Sequence, residues 1–180
     1  TLSADLVGAI TMRVASILHA AHGHGYVHRD VKPEHILMDR DENGWFRVRL
    51  LDFGVCSSIR APKDERDREV GRVFGTPSYV SPEQASGDPD VDARADVLGL
   101  GIVMFEALTG RLPFTGSNVA NLLRRIIRED APRAALIRHD LHHTFDSVVA
   151  TALARDPEDR FPTMRSLSRA LAPIVADRKS

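Results

Sequence analysis

Asp30 and Asp52 stand on either side of an apolar stretch, and Lys32 lies two residues after the first of them. Two carboxylates and one ammonium at a single place suit a divalent cation and a phosphate. The carboxylates are hard oxygen ligands, and the ammonium is a compact charge for a phosphoryl oxygen. Phosphoryl transfer asks little more of a protein than positioning and charge neutralisation. The two aspartates must therefore meet, and the stretch between them supplies the means. Residues 36–38 read as a short strand, and 39–44, with the pair Asn43-Gly44, as a hairpin turn. Residues 46–51 then alternate, with Phe46, Val48 and Leu50 on one face and Arg47 and Arg49 on the other. A hairpin returns the chain to its start, so the loop entering it and the loop leaving it lie side by side.

The remaining elements read as helices that hold this ribbon. From Asp5 to Ala21, Leu6, Val7, Ile10, Val14, Ile17 and Leu18 recur at helical spacing, with Ser3 as N-cap and Gly23 and Gly25 closing the segment. Residues 96–108 are apolar almost all round, the pattern of a helix at the centre of a helical core. Thr109-Gly110 stops it. Amphipathic helices are expected over 119–127, 145–153 and 164–175. Residues 60–72 are nearly all charged and read as a surface loop; Gly75-Thr76-Pro77 and Ser81-Pro82-Glu83 read as turns.

Composition agrees with one folded domain. The chain has 180 residues, 43% of them hydrophobic, enough for a core. The formal net charge of −1 gives no global pull toward nucleic acid or an anionic membrane. No secretory signal or membrane-length apolar run stands out, and the single cysteine, Cys56, cannot form an internal disulfide. A cytoplasmic setting is the default expectation.

His28-Arg29-Asp30, Lys32-Pro33, Asp52-Phe53-Gly54, Gly75-Thr76-Pro77 and Ser81-Pro82-Glu83 occur in the order of the protein kinase signature set. On these motifs the chain resembles the C-terminal lobe of a eukaryotic-like (Hanks-type) serine/threonine protein kinase of bacterial kind, almost end to end. The resemblance implies a mainly α fold, a kinase-like C-terminal lobe with a small β-hairpin carrying the catalytic loop and Asp-Phe-Gly. It implies one domain over 1–180 with an activation segment over 52–83. The reaction it implies is transfer of the γ-phosphoryl group of ATP, with Mg²⁺, to a Ser or Thr hydroxyl of a protein substrate.

Matched residue by residue, Asp30 takes the place of the catalytic base, Lys32 of the group that neutralises the transferring phosphoryl, and Thr76 of the threonine bonded to both. Asp52 matches the metal-chelating aspartate and Leu37 the residue beneath the adenine. His28 and Phe53, followed by Gly54, match the stack that locks the active form. Asp96 matches the aspartate that holds the catalytic-loop backbone, and Glu83 and Arg160 a buried ion pair. Arg29 matches the arginine that receives an activation-loop phosphate. Between Asp52 and Thr76 only Ser57 and Ser58 could carry one; Glu65, Asp67 or Glu69 could instead supply fixed negative charge.

Two departures matter. No Gly-rich loop and no strand lysine of an N-terminal lobe are found: Lys32 is already assigned, and Lys63 and Lys179 sit in polar contexts. The chain is expected to be part of a longer kinase whose N-terminal lobe, and any membrane anchor, lie elsewhere in the polypeptide; alone it should transfer little phosphate. The second departure is His35, which stands where the family has a metal-binding asparagine. Imidazole nitrogen suits Mn²⁺, Zn²⁺ or Fe²⁺ better than Mg²⁺, so a slowed kinase favouring Mn²⁺ is expected. The alternative is a pseudokinase or scaffold module. A zinc site at His19, His22, His24 and His28 fits no standard ligand spacing, Cys56 reads as a small buried residue, and Arg124-Arg125 as a solvated helix face.

Overall fold

A computed structural model describes residues 1–40, 42, 46–52, 57–58 and 76–176. The expectations placed on Phe53, Gly54, Cys56, Lys63, Glu65, Asp67, Glu69, Gly75, Lys179 and the pair Asn43-Gly44 lie outside these residues, as do those on the side chains of Ser57 and Ser58.

The chain opens with α1 (Ala4–Gly23), capped where the Ser3 hydroxyl accepts from the Leu6 amide at 3.3 Å. That bond satisfies one of the amides a helix start leaves without a partner. By length and composition α1 is apolar enough to cross a membrane. Here its stripe packs inside the fold: Val14 and Leu18 are fully buried, and the helix lies against the last helix, the central helix and the hairpin. Gly25, at φ 85°, turns the chain away from the helix, a conformation that a side chain would oppose.

β1 (Tyr26–Val27) follows, then β2 (Ile36–Arg40) and β3 (Phe46–Leu50), which pair antiparallel with Ile36 opposite Leu50 and Met38 opposite Val48. The pairing runs two residues further than expected, to Arg40 opposite Phe46. Ile36, Val48 and Leu50 pack on the core, while Leu37, opposite Arg49, lies on the other face at 44% exposure. Leu37 is therefore not a core residue. β4 (Ser57–Ser58) pairs antiparallel with β1, which the sequence pattern did not suggest. A two-residue strand carries no period to read.

The expected turn at 81–83 is instead a short helix, α2 (Pro82–Ala85). Ser81 and Gln84 form a reciprocal capping box, the Ser81 hydroxyl accepting from the Gln84 amide and the Gln84 carbonyl oxygen accepting from the Ser81 amide. Proline at the first helical position is pre-set for this start.

α3 (Arg94–Thr109) is the centre of the molecule, with Val97, Ile102, Met104, Phe105 and Leu108 fully buried. Gly110 ends it in the left-handed region at φ 72°, its N–H donating to the Glu106 carbonyl at 2.7 Å. α4 (Val119–Arg128) joins Val80 and Phe114 in a small separate cluster through Leu122 and Ile126. α5 (His143–Ala152) packs on α3, and α6 (Met164–Ala176) on α1 and α5. All four long helices after the first fall within two residues of their expected bounds, and the fold is mainly α with one small hairpin.

Candidate active site

The chain between β1 and β2 is held from three directions. The Asp96 carboxylate, fully buried near the start of α3, accepts the His28 amide and the Arg29 amide, each at 2.8 Å. The same carboxylate takes a third bond, 2.7 Å from His22 Nε2. Because a carboxylate accepts and the pair is bonded through Nε2, that nitrogen carries the hydrogen. From α2, the Gln84 side-chain amide nitrogen donates to the Arg29 carbonyl at 2.9 Å. From the hairpin side, His28 Nε2 lies 3.1 Å from the Leu51 carbonyl and so donates to it, while His28 Nδ1 accepts from the Asp30 amide. The clamp holds Arg29 at φ 65°, and Asp52 beyond the hairpin is at φ 58°. Left-handed backbone at non-glycine residues is uncommon, and among the described residues it occurs only at Asp52 and at the residue before Asp30.

Upon this backbone sits a closed polar triangle. The Thr76 amide donates to Asp30 Oδ1 at 2.8 Å, Lys32 Nζ donates to Asp30 Oδ2 at 2.7 Å, and Lys32 Nζ donates to Thr76 Oγ1 at 2.6 Å. Asp30 is 8% exposed. Burial pushes its carboxyl up, but the Lys32 ammonium, the Thr76 amide and His35 together outweigh that and hold it below the usual carboxylate range.

His35 links this triangle to Asp52. Its Nδ1 lies 2.9 Å from the Asp30 carbonyl oxygen and its Nε2 lies 3.6 Å from Asp52 Oδ2. The His35 carbonyl accepts the Leu51 amide at 2.8 Å, tying the entrance of the hairpin to its exit. His35 thus stands between the two aspartates, its Nδ1 3.6 Å from Asp30 Oδ2 and its Nε2 3.6 Å from Asp52 Oδ2.

A family model, that of the protein kinase domain, matches residues 1–171. The chain belongs to the protein kinase family. It is 37% identical over 169 residues to serine/threonine-protein kinase PknH of Mycobacterium bovis, a match covering 94% of this chain and 27% of that protein. It is 37% identical over 171 residues to serine/threonine-protein kinase PknL of Mycobacterium tuberculosis, covering 95% of this chain and 41% of the relative. A third, serine/threonine-protein kinase PknB of Mycobacterium tuberculosis, is 42% identical over 147 residues, covering 81% and 22%. The chain therefore spans between about a fifth and two-fifths of the length of these relatives. The resemblance to a bacterial Hanks-type kinase read from the motifs is confirmed.

Within this kinase chain the other matched residues fall as follows. Glu83 and Arg160 form a bidentate pair, Nη1 to Oε1 at 2.7 Å and Nη2 to Oε2 at 2.9 Å, with the Arg160 side chain fully buried. Arg160 also donates to the carbonyls of Ala154, Arg155 and Arg94, so its fork is spread over four acceptor residues. His22, Gln84 and Glu106 were not anticipated. Glu106 accepts from the Tyr79 hydroxyl at 2.6 Å, and burial with that bond pushes the phenol well above its ordinary value. None of these pairs has a local signature: His22 and Asp96 are 74 residues apart, Tyr79 and Glu106 27 apart.

Proposed function

We propose that the polypeptide carrying this chain transfers the γ-phosphoryl group of ATP to Ser or Thr hydroxyls of a protein substrate, and that residues 1–180 are the C-terminal lobe of its kinase domain. The observation that carries this reading is the triangle of Asp30, Lys32 and Thr76. Each Asp30 oxygen spends one acceptor position on that triangle, Oδ1 on the Thr76 amide and Oδ2 on Lys32. A carboxylate oxygen has a second, so an incoming hydroxyl can still hydrogen-bond to Asp30. Asp30 then orients the hydroxyl and takes its proton as the oxygen attacks phosphorus. Lys32, held by Thr76, places its charge against the phosphoryl group in transit.

A divalent ion bound with the nucleotide neutralises phosphate charge. Asp52 would hold it, since its carboxylate is the hard oxygen donor at the mouth of the hairpin and its side chain is 62% exposed. Leu37, on the hairpin face away from the core and 44% exposed, would meet the adenine. Leu51, 42% exposed, is uncovered as well, as a contact for an N-terminal lobe of the same polypeptide would be. We place the protein in the cytoplasm.

The test uses a polypeptide extended upstream to a two-lobed domain. Asp30→Asn is expected to lower transfer to a Ser/Thr peptide by roughly 10²–10⁴-fold. A second reading, a pseudokinase or scaffold, draws on the imidazole of His35 beside Asp52. It wins if the extended wild type turns over with neither Mg²⁺ nor Mn²⁺ while Asp30→Asn leaves partner binding intact.

A further inference from the structure

Gln84 is buried, and both ends of its side-chain amide are bonded to backbone. Its oxygen accepts from the Ser81 amide at 3.2 Å and its nitrogen donates to the Arg29 carbonyl at 2.9 Å. A backbone N–H only donates and a backbone carbonyl only accepts, so the amide can sit only this way round. The first bond belongs to the capping box at the start of α2, where a glutamate would serve as well. The second bond leaves α2 and reaches a residue 55 positions earlier in the chain. Capping explains the oxygen; nothing in α2 needs the nitrogen.

What the nitrogen reaches is the peptide between Arg29 and Asp30. Arg29 is left-handed there, at φ 65°, a conformation that a non-glycine residue keeps only when its surroundings fix it. Asp96 accepts the Arg29 amide at 2.8 Å, and His28 Nδ1 accepts the Asp30 amide at 3.3 Å. With Gln84 on the carbonyl, the peptide that leads into Asp30 is bonded at its oxygen as well as at its nitrogen. The mount is firm, because Glu83, the residue before Gln84, is pinned by the bidentate pair with Arg160. We infer that Gln84 is a positioning residue: through the Arg29 carbonyl it sets the orientation in which the Asp30 carboxylate meets Lys32, Thr76 and an incoming hydroxyl. The inference rests on the role proposed for Asp30; Gln84 itself touches no reacting atom.

Three variants of the polypeptide extended to a two-lobed domain test it. Gln84→Met keeps the length of the side chain and loses both bonds; kcat is expected to fall about 10-fold, with KM for ATP unmoved. Ser81→Ala removes the hydroxyl that caps α2 but leaves the Gln84 nitrogen on Arg29; it should cost stability and keep kcat within about 2-fold. Gln84→Glu keeps an oxygen on the Ser81 amide and turns the other toward the Arg29 carbonyl. Burial against that acceptor favours the protonated carboxyl, and only that form can donate, so kcat relative to the wild type should rise as pH falls from about 8 to about 6. A Gln84→Met enzyme with full kcat, a Ser81→Ala enzyme as slow as Gln84→Met, or a Gln84→Glu ratio that is flat with pH would each overturn the assignment. Should Gln84→Met fail to fold, the pH profile of Gln84→Glu decides. The Asp30 carboxyl, held below the usual carboxylate range, gives a readout that needs no turnover: its titration by ¹³C nuclear magnetic resonance should move up in Gln84→Met and stay in place in Ser81→Ala. A titration that stays in place in Gln84→Met sinks the inference. An extended wild type that transfers no phosphate while the titration moves would count against the proposed function and leave the positioning of Asp30 standing.

Discussion

At the scale of single residues the site is organised by what surrounds one carboxylate. Burial alone would favour a neutral Asp30, yet the ammonium of Lys32 and the Thr76 amide together hold it ionised. A group whose folded value is depressed contributes stability at pH above its unfolded value, near 3.9 for aspartate, and loses it as pH falls through the folded value. Urea unfolding of wild type and Asp30→Asn should therefore show a gap that is constant above about pH 5 and closes below about pH 4. Lys32→Met should narrow that gap even at neutral pH, because the partner that depresses the carboxyl is gone. In the extended enzyme, Thr76→Val removes the acceptor of Lys32 but keeps the amide on Asp30. Loss of one hydrogen bond to a charged group, worth ~1.5–3 kcal/mol, translates into a rate lower by roughly 10–100-fold, while Thr76→Ser should retain most activity.

At the scale of elements, the loop that carries Asp30 and Lys32 owes its path to α3. Asp96 accepts two successive loop amides, and Gly99, one turn further along, lets the loop lie against the helix. A Cβ built on Gly99 would stand 3.2 Å from Val31 Cβ and 3.4 Å from the Val31 carbonyl oxygen. Both neighbours belong to packed backbone or to a stiff branched side chain, and Val31 is only 2% exposed. Gly99→Ala is thus expected to lower stability by ~1–3 kcal/mol in denaturant titration and to displace the loop, with lower activity than the stability loss explains. A gain in stability, as an ordinary helical glycine would give on replacement by alanine, would show that the close approach is not needed.

Across the whole molecule, the buried Arg160 fork joins parts that are distant in sequence. It binds Glu83 of α2, the Arg94 carbonyl at the start of α3, and the Ala154 and Arg155 carbonyls after α5. α2, the central helix and the C-terminal helices thereby meet at one charge. Removing one partner from such a buried pair leaves the other uncompensated. Glu83→Ala and Arg160→Ala should each destabilise by ~3–5 kcal/mol, and the double variant by less than the sum. A double-mutant cycle on chemical unfolding measures this directly.

The sequence by itself determined the five long helices, the hairpin and the candidate triad, though not the short α2. Periodic apolar residues declare their own element, and motifs such as His28-Arg29-Asp30 and Asp52-Phe53-Gly54 are contiguous, so order and spacing suffice. Asp96, Glu83 and Arg160 were legible only because the family resemblance named them, not because any local pattern did. Tertiary structure alone decided the rest: that His22 completes the coordination of Asp96, that Gln84 holds the Arg29 carbonyl, that Leu37 faces away from the core, and which nitrogen of His35 faces Asp52. These are choices of a hydrogen-bond partner or an exposed face made across tens of residues. A side chain with several possible partners has no preference among them until packing brings one within 3 Å and removes water from the others.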